Sequence, residues 1–191
     1  MGAIFDRPQI PTKHRFDVDA YYKLAEAGIL PNPHRVELID GEIIDLNAIG
    51  SPHAAITTRL TRQFIRAVGD LAIISVQNPL RLDSYNEPEP DLLVLRPRAD
   101  DYQANHPGAA DVLLLIEVSE TSLGHDRGRK LALYAKFGVP EVWIVDIAGA
   151  AVEVCRQPKD GAYVSQERRT SGMLAPALVK GIEIDVAALL A

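Results

Sequence analysis

Apolar and polar positions follow two rhythms along this chain. FDVDAYYKLAEAG, from Phe16 to Gly28, carries its apolar residues at helical spacing, with Asp17 placed to cap the first turn and Gly28 to end it. The turn LPNPH follows. In VELIDGEIIDL, Asp40-Gly41 then separates two apolar-rich runs, which predicts a type I′ hairpin. A two-residue loop pairs Ile39 with Glu42 and Glu37 with Ile44. Alternation puts Glu37, Ile39, Glu42 and Ile44 on one face, and Val36, Leu38, Ile43 and Asp45 on the other. Glu37 is then either an exposed acid on a one-sided hairpin or an acid with a task among apolar neighbours.

SPHAAITTRLTRQFIRAV predicts a helix with Ser51 as N-cap, Pro52 at the first helical position and a stripe of Ile56, Leu60, Phe64 and Ala67. LAIISVQNPLRL and DLLVLRP read as strands, and RADDYQANHPGAA as a polar loop. DVLLLIEVSE holds an unbroken apolar run from Val112 to Ile116, which fits a central strand covered on both faces. TSLGHD reads as a loop and RGRKLALYAKFG as a helix stopped by Gly138. VPEVWIVD and AVEVCR form a hairpin. The tail predicts a strand, an irregular stretch, a short strand and a last helical turn capped by Asp185. Strands and helices interleave without strict alternation. The expected fold is α/β, a central mixed sheet flanked by helices with an N-terminal β-hairpin, as one domain over residues 1–191.

Composition narrows the classes. With 191 residues, 47% hydrophobic and 24% charged, the chain can bury a core. No apolar run approaches the roughly 18 residues a membrane span needs. The start, MGAIFDRPQIPTKHRF, lacks the apolar centre of a signal peptide, and Cys155 is the single cysteine. Both point to a cytoplasmic protein without intrachain disulfides. Cys155 reads as a small buried strand residue rather than a nucleophile. The net charge of −6 argues mildly against indiscriminate nucleic-acid binding, but metal-binding acids enter that tally too. The basic clusters Arg59, Arg62, Arg66 and Arg127, Arg129, Lys130 read as solvated helix faces.

Two acids stand where packing does not explain them. Asp91 opens DLLVLR in the stretch EPEPDLLVLRP, on one face with Leu93 and Leu95. Glu117 lies near the end of the doubly covered strand, on one face with Leu113, Leu115 and Ser119. A buried carboxylate costs several kcal/mol unless it is paired, protonated or bound to metal. Helical periodicity groups Arg127, Lys130, Leu131 and Tyr134, so Lys130 can reach the end of the Glu117 strand, where it could instead form a structural ion pair. Two carboxylates on neighbouring strands plus a lysine suit a hard cation such as Mg²⁺, with Mn²⁺ as an alternative, acting on a phosphate ester. His53, in the first turn of its helix, and Tyr134 are secondary candidates. The five histidines lack metal-ligand spacing, which disfavours a zinc hydrolase.

PEPDLLVLRP, DVLLLIEVSETS and DRGRKLALYAKFGVPEVWIVD together resemble the PD-(D/E)XK nuclease superfamily. With VELIDGEIIDL and SPHAAI they are similar to its Uma-two branch of restriction-endonuclease-like proteins, over nearly the whole chain. The resemblance implies a restriction-endonuclease-like fold and Mg²⁺-dependent hydrolysis of DNA. It carries the catalytic set onto Glu37, Asp91, Glu117 and Lys130, and the metal ligands onto Asp91, Glu117 and the carbonyl of Val118. Ser119 occupies the superfamily's usual lysine place, and the lysine has moved to Lys130. Glu120 stands where the branch often has proline, which adds an acid near the site. A homodimer is expected if both strands of a duplex are cut. The alternative is a catalytically inactive nucleic-acid-binding or regulatory module on the same fold.

Overall fold

The computed structural model describes residues 13–30 and 35–191. The chain start and most of the turn expected over residues 30–34 lie outside them. The first helix, α1 (Val18–Glu26), is capped as expected, with the Ala20 amide donating to Asp17 Oδ1 at 2.8 Å. Strands β1 (Val36–Ile39) and β2 (Glu42–Asp45) form the hairpin in the predicted register. Asp40 and Gly41 both take positive φ, 51° and 71°, as a type I′ turn requires. A Cβ at Gly41 would stand 2.7 Å from Arg15 Cβ, so the turn is also closed to side chains by its neighbour.

The next helix, α2 (Ser51–Val68), buries Ile56, Leu60, Phe64 and Val68, with Ala67 half-buried beside them. Its N-cap is Gly50 rather than Ser51, and no side chain caps it. A Cβ at Gly50 would crowd the Glu120 carboxylate, the far end of a side chain that can turn aside. A six-stranded sheet follows, from β3 (Ile73–Val76), β4 (Leu92–Leu95), β5 (Val112–Ser119), β6 (Glu141–Asp146), β7 (Ala151–Lys159) and β8 (Ala162–Arg169), in that spatial order. Only β5 and β6 are parallel, so the sheet is mixed.

Every residue of β5 is buried, as the apolar run predicts for a central strand. Its phase breaks once. Val94 pairs with Leu114 and Leu95 with Val112, which leaves Leu113 as a bulge. Leu113 therefore packs with Leu114, Ile116 and Val118 against α2, not with Leu115 as strict alternation predicts.

The segment read as the loop TSLGHD is helical from Leu123. A short α3 (Leu123–His125) runs into a π-helical turn (Asp126–Lys130) and then α4 (Leu131–Lys136), which ends before Gly138 at φ +78°. Ser122, Gly124, His125 and Asp126 carry no apolar periodicity, so this start was hidden from pattern reading. The wider π turn also takes Arg127 out of the Lys130 stripe. Arg127 pairs with Asp146 and Glu153, and Arg129 with Glu42 and Asp40, so the basic cluster at 127–130 is not a solvated face.

Helix α2 and the C-terminal α5 (Val186–Leu190) cover one sheet face and α4 covers the other. The short strands β9 (Met173–Leu174) and β10 (Ile184–Asp185) precede α5, and Asp185 caps it through the Ala188 amide. The hairpin and α1 form a smaller cluster of Val18, Tyr21, Val36 and Leu38. The hairpin is tied to the segment before β4, because Leu38 and Glu87 exchange backbone hydrogen bonds at 3.3 and 2.7 Å. Cys155 is buried in β7, and burial together with Glu153 raises its thiol to about 11.

Candidate active site

A cavity of about 580 Å³ opens where the hairpin, the start of α2, the ends of β4 and β5 and the π turn meet. Glu37, Asp91, Glu117, Val118, Lys130 and His53 all line it. Tyr134 stands behind them, fully buried.

Each side chain is placed by its element. Asp91 stands one residue before β4. Its Oδ2 accepts from the Val118 amide at 2.8 Å, and its Oδ1 accepts from Gln77 Nε2 at 3.3 Å and lies 3.0 Å from His53 Nε2. The prolines flanking Glu89 leave it as the single amide donor of Pro88–Pro90. That amide donates to Glu37 Oε2 at 3.2 Å. Asp91 thus sits at a strand mouth because three neighbours hold its carboxylate facing the cavity.

Glu37 is fully buried, so the exposed-acid reading is overturned: β1 is covered on both faces, by α1 on one side and by the site on the other. Lys130, 3% exposed, lies between two carboxylates, 2.8 Å from Glu117 Oε1 and 3.2 Å from Glu37 Oε2. Tyr134 donates to Glu117 Oε1 at 2.6 Å. His125 Nε2 is 3.2 Å from Glu37 Oε1.

These contacts set the charge states. Burial raises the Glu37 carboxyl, but Lys130, His125 and the Glu89 amide outweigh it and bring the group down to about 2. Glu117 goes the other way, to about 8, because burial and the nearby acids Asp126 and Asp91 outweigh Lys130. Burial lowers Lys130, yet Glu117, Tyr134 and Glu37 reverse this and hold it well above its ordinary value. The lysine is therefore an ammonium, a donor and counter-charge rather than a base. The hydrogen bond to Asp91 raises His53 against its burial.

The structure brings Glu37, Asp91, Glu117 and Lys130 to one cleft. Glu120 lines it too, as an added acid. Sequence reasoning missed His125, Glu89 and Asp126. Asp126 accepts from Ser119 Oγ at 2.7 Å and Ser122 Oγ at 2.6 Å, so the two serines hold a further acid at the cleft. Only the π turn puts Asp126 there, and no spacing in the sequence announces it. Among the described residues, no three His, Cys, Asp or Glu side chains gather as a ready metal cage. A centre here would rest on Asp91 and Glu117 with a backbone oxygen.

A mixed sheet covered by helices thus carries an acid-rich cleft with a buried ammonium at its strand ends. A family model described as "Putative restriction endonuclease" matches residues 18–187, and the chain belongs to that family, Uma2. Its fold is similar to a crystal structure from Anabaena variabilis ATCC 29413 titled as a putative nuclease belonging to DUF820. The TM-score is 0.69 at 16% sequence identity, covering 92% of this chain and 97% of the other. No curated protein matches the chain. No helix among the described residues is long and apolar enough to cross a membrane.

Proposed function

We propose that the protein is a Mg²⁺-dependent endonuclease of the PD-(D/E)XK kind that hydrolyses phosphodiester bonds of DNA with a metal-activated water. One observation carries this reading: Glu37, Asp91, Glu117 and Lys130 come from four separate segments and line one cleft, with the lysine held charged. The donor set fits a hard cation. Burial first, then Asp126 and Asp91, raise Glu117 to about 8 even beside an ammonium, and a divalent ion would favour its ionised form. Asp91, Glu117 and the Val118 carbonyl would hold it, and two carboxylates suit Mg²⁺, which keeps several waters and takes phosphate oxygens. When bound, the cation supplies a water of lowered pKa and a counter-charge for the phosphoryl group. Lys130 would donate to the developing negative charge. Glu37 holds Lys130 in place, Tyr134 fixes Glu117, and His53 with Gln77 fixes Asp91. Two copies of the chain would cut the two strands of a duplex.

A second reading rests on the same lysine. Lys130 between Glu37 and Glu117 also satisfies a purely structural buried ion cluster, as an inactive binding module would keep. Calorimetric Mg²⁺ titration with plasmid nicking on the same samples separates the two. Wild type should bind Mg²⁺ and nick. Asp91→Ala and Glu117→Ala should each lose nicking by at least about a hundredfold while staying folded. Loss of Mg²⁺ binding in Asp91→Ala places the metal there. A wild type that neither binds Mg²⁺ nor nicks turns the reading to the inactive module.

A further inference from the structure

A second groove of about 670 Å³ opens beside the cleft and shares His53, Gln77 and Ile49 with it. It runs along α2 past Thr57, Arg62 and Arg66. We infer that this groove carries the DNA strand flanking the scissile phosphate, with Arg62 and Arg66 on its phosphates; the inference rests on the nuclease reading.

Two observations point to that occupant. First, the groove is continuous with the cleft, so a strand leaving it has a path to follow. Second, Arg62 and Arg66 are exposed and one turn apart, and they form no ion pair among the described residues. Arg59 of the same cluster is differently used, donating to the Leu189 carbonyl at 2.9 Å. In a protein of net charge −6, two unpaired cations beside an acid-rich cleft mark a place for phosphates.

The spacing agrees. At about 1.5 Å of rise per residue, Arg62 and Arg66 stand roughly 13 and 20 Å along the axis from His53. At about 3.4 Å per stacked nucleotide, that is roughly four to six nucleotides from the cleft. Ile65, 55% exposed, lines the groove between the arginines and offers an apolar surface to bases or sugars.

The test measures binding of a fluorescent DNA oligonucleotide by anisotropy with EDTA present, so that cleavage does not intervene, and plasmid nicking with Mg²⁺. Arg62→Ala/Arg66→Ala should weaken binding roughly tenfold or more and lower the salt slope of log Kd by about 2. Arg62→Lys/Arg66→Lys should recover most of the affinity, because a phosphate contact needs chiefly the charge. If wild type binds and nicks DNA but the double alanine variant does so equally well, the groove inference fails alone. If wild type neither binds nor nicks, the nuclease reading fails with it. If sedimentation shows that the arginine variants change self-association while DNA affinity holds, the groove is an interface between two copies, and the inference is overturned.

Discussion

Glu37 is buried against an ammonium and an imidazole, and its proton affinity becomes a stability statement. Its folded value of about 2 lies below the ordinary 4.5. Ionised Glu37 therefore contributes stability above that ordinary value, and the contribution is lost as pH falls through it towards the folded value. The shift amounts to roughly 3 kcal/mol. Urea denaturation of wild type and Glu37→Gln at a series of pH values should show the wild-type advantage shrinking by about that amount between about pH 6 and 2. A constant difference across the window would remove the assigned pairing. Three of the four cleft residues were legible in the sequence for physical reasons. Glu117 interrupts a doubly covered strand, Asp91 precedes one, and Lys130 follows at helical reach. Glu37 was ambiguous from alternation, because a single hairpin does not reveal what covers its second face. Burial by the site resolved it, and the family resemblance had already pointed to it.

Among the elements, the π turn decides most. Hairpin and sheet strands follow from alternation and turn residues, and Asp17 and Asp185 cap as read. Two of the departures, the Gly50 cap and the helical start at Leu123, adjoin the cleft, and the third, the Leu113 bulge, lies near the other end of β5. None of the three is announced by a local pattern, and the Gly50 cap lies against the Glu120 carboxylate from a distant segment. Gly128 lies in the π turn without positive φ, and a Cβ there would meet nothing within 4 Å. Gly128→Ala should therefore stabilise the protein by about 0.5–1 kcal/mol, by restricting the unfolded chain. Thermal denaturation checks this, and a fall in melting temperature would show that the turn needs glycine's freedom.

At the scale of the whole molecule, the single tryptophan is a well-placed reporter. Trp143 lies on β6, fully buried, with its ring centroid 6.2 Å from that of Phe64 on α2 and its Nε1 donating to Glu141 at 2.7 Å. It senses the core that joins α2, the sheet and α5. If residues 1–191 unfold as one cooperative unit, Trp emission and far-UV circular dichroism should give the same urea midpoint. Two separated midpoints would show that the hairpin region melts apart from the main sheet.

Lys130 bridges a carboxylate of the hairpin and one of the main sheet, so the clamp across the cleft is also the rivet between two parts of the molecule. Losing the cation would leave two buried acids uncompensated, at a cost of about 3–5 kcal/mol. Natural selection for a folded chain and selection for chemistry thus press on the same residues. A lineage that drifted away from catalysis could not discard this lysine alone. It would have to lose or replace an acid partner first, so the order in which the set can decay is constrained. The machinery is kept in place by architecture as well as by use.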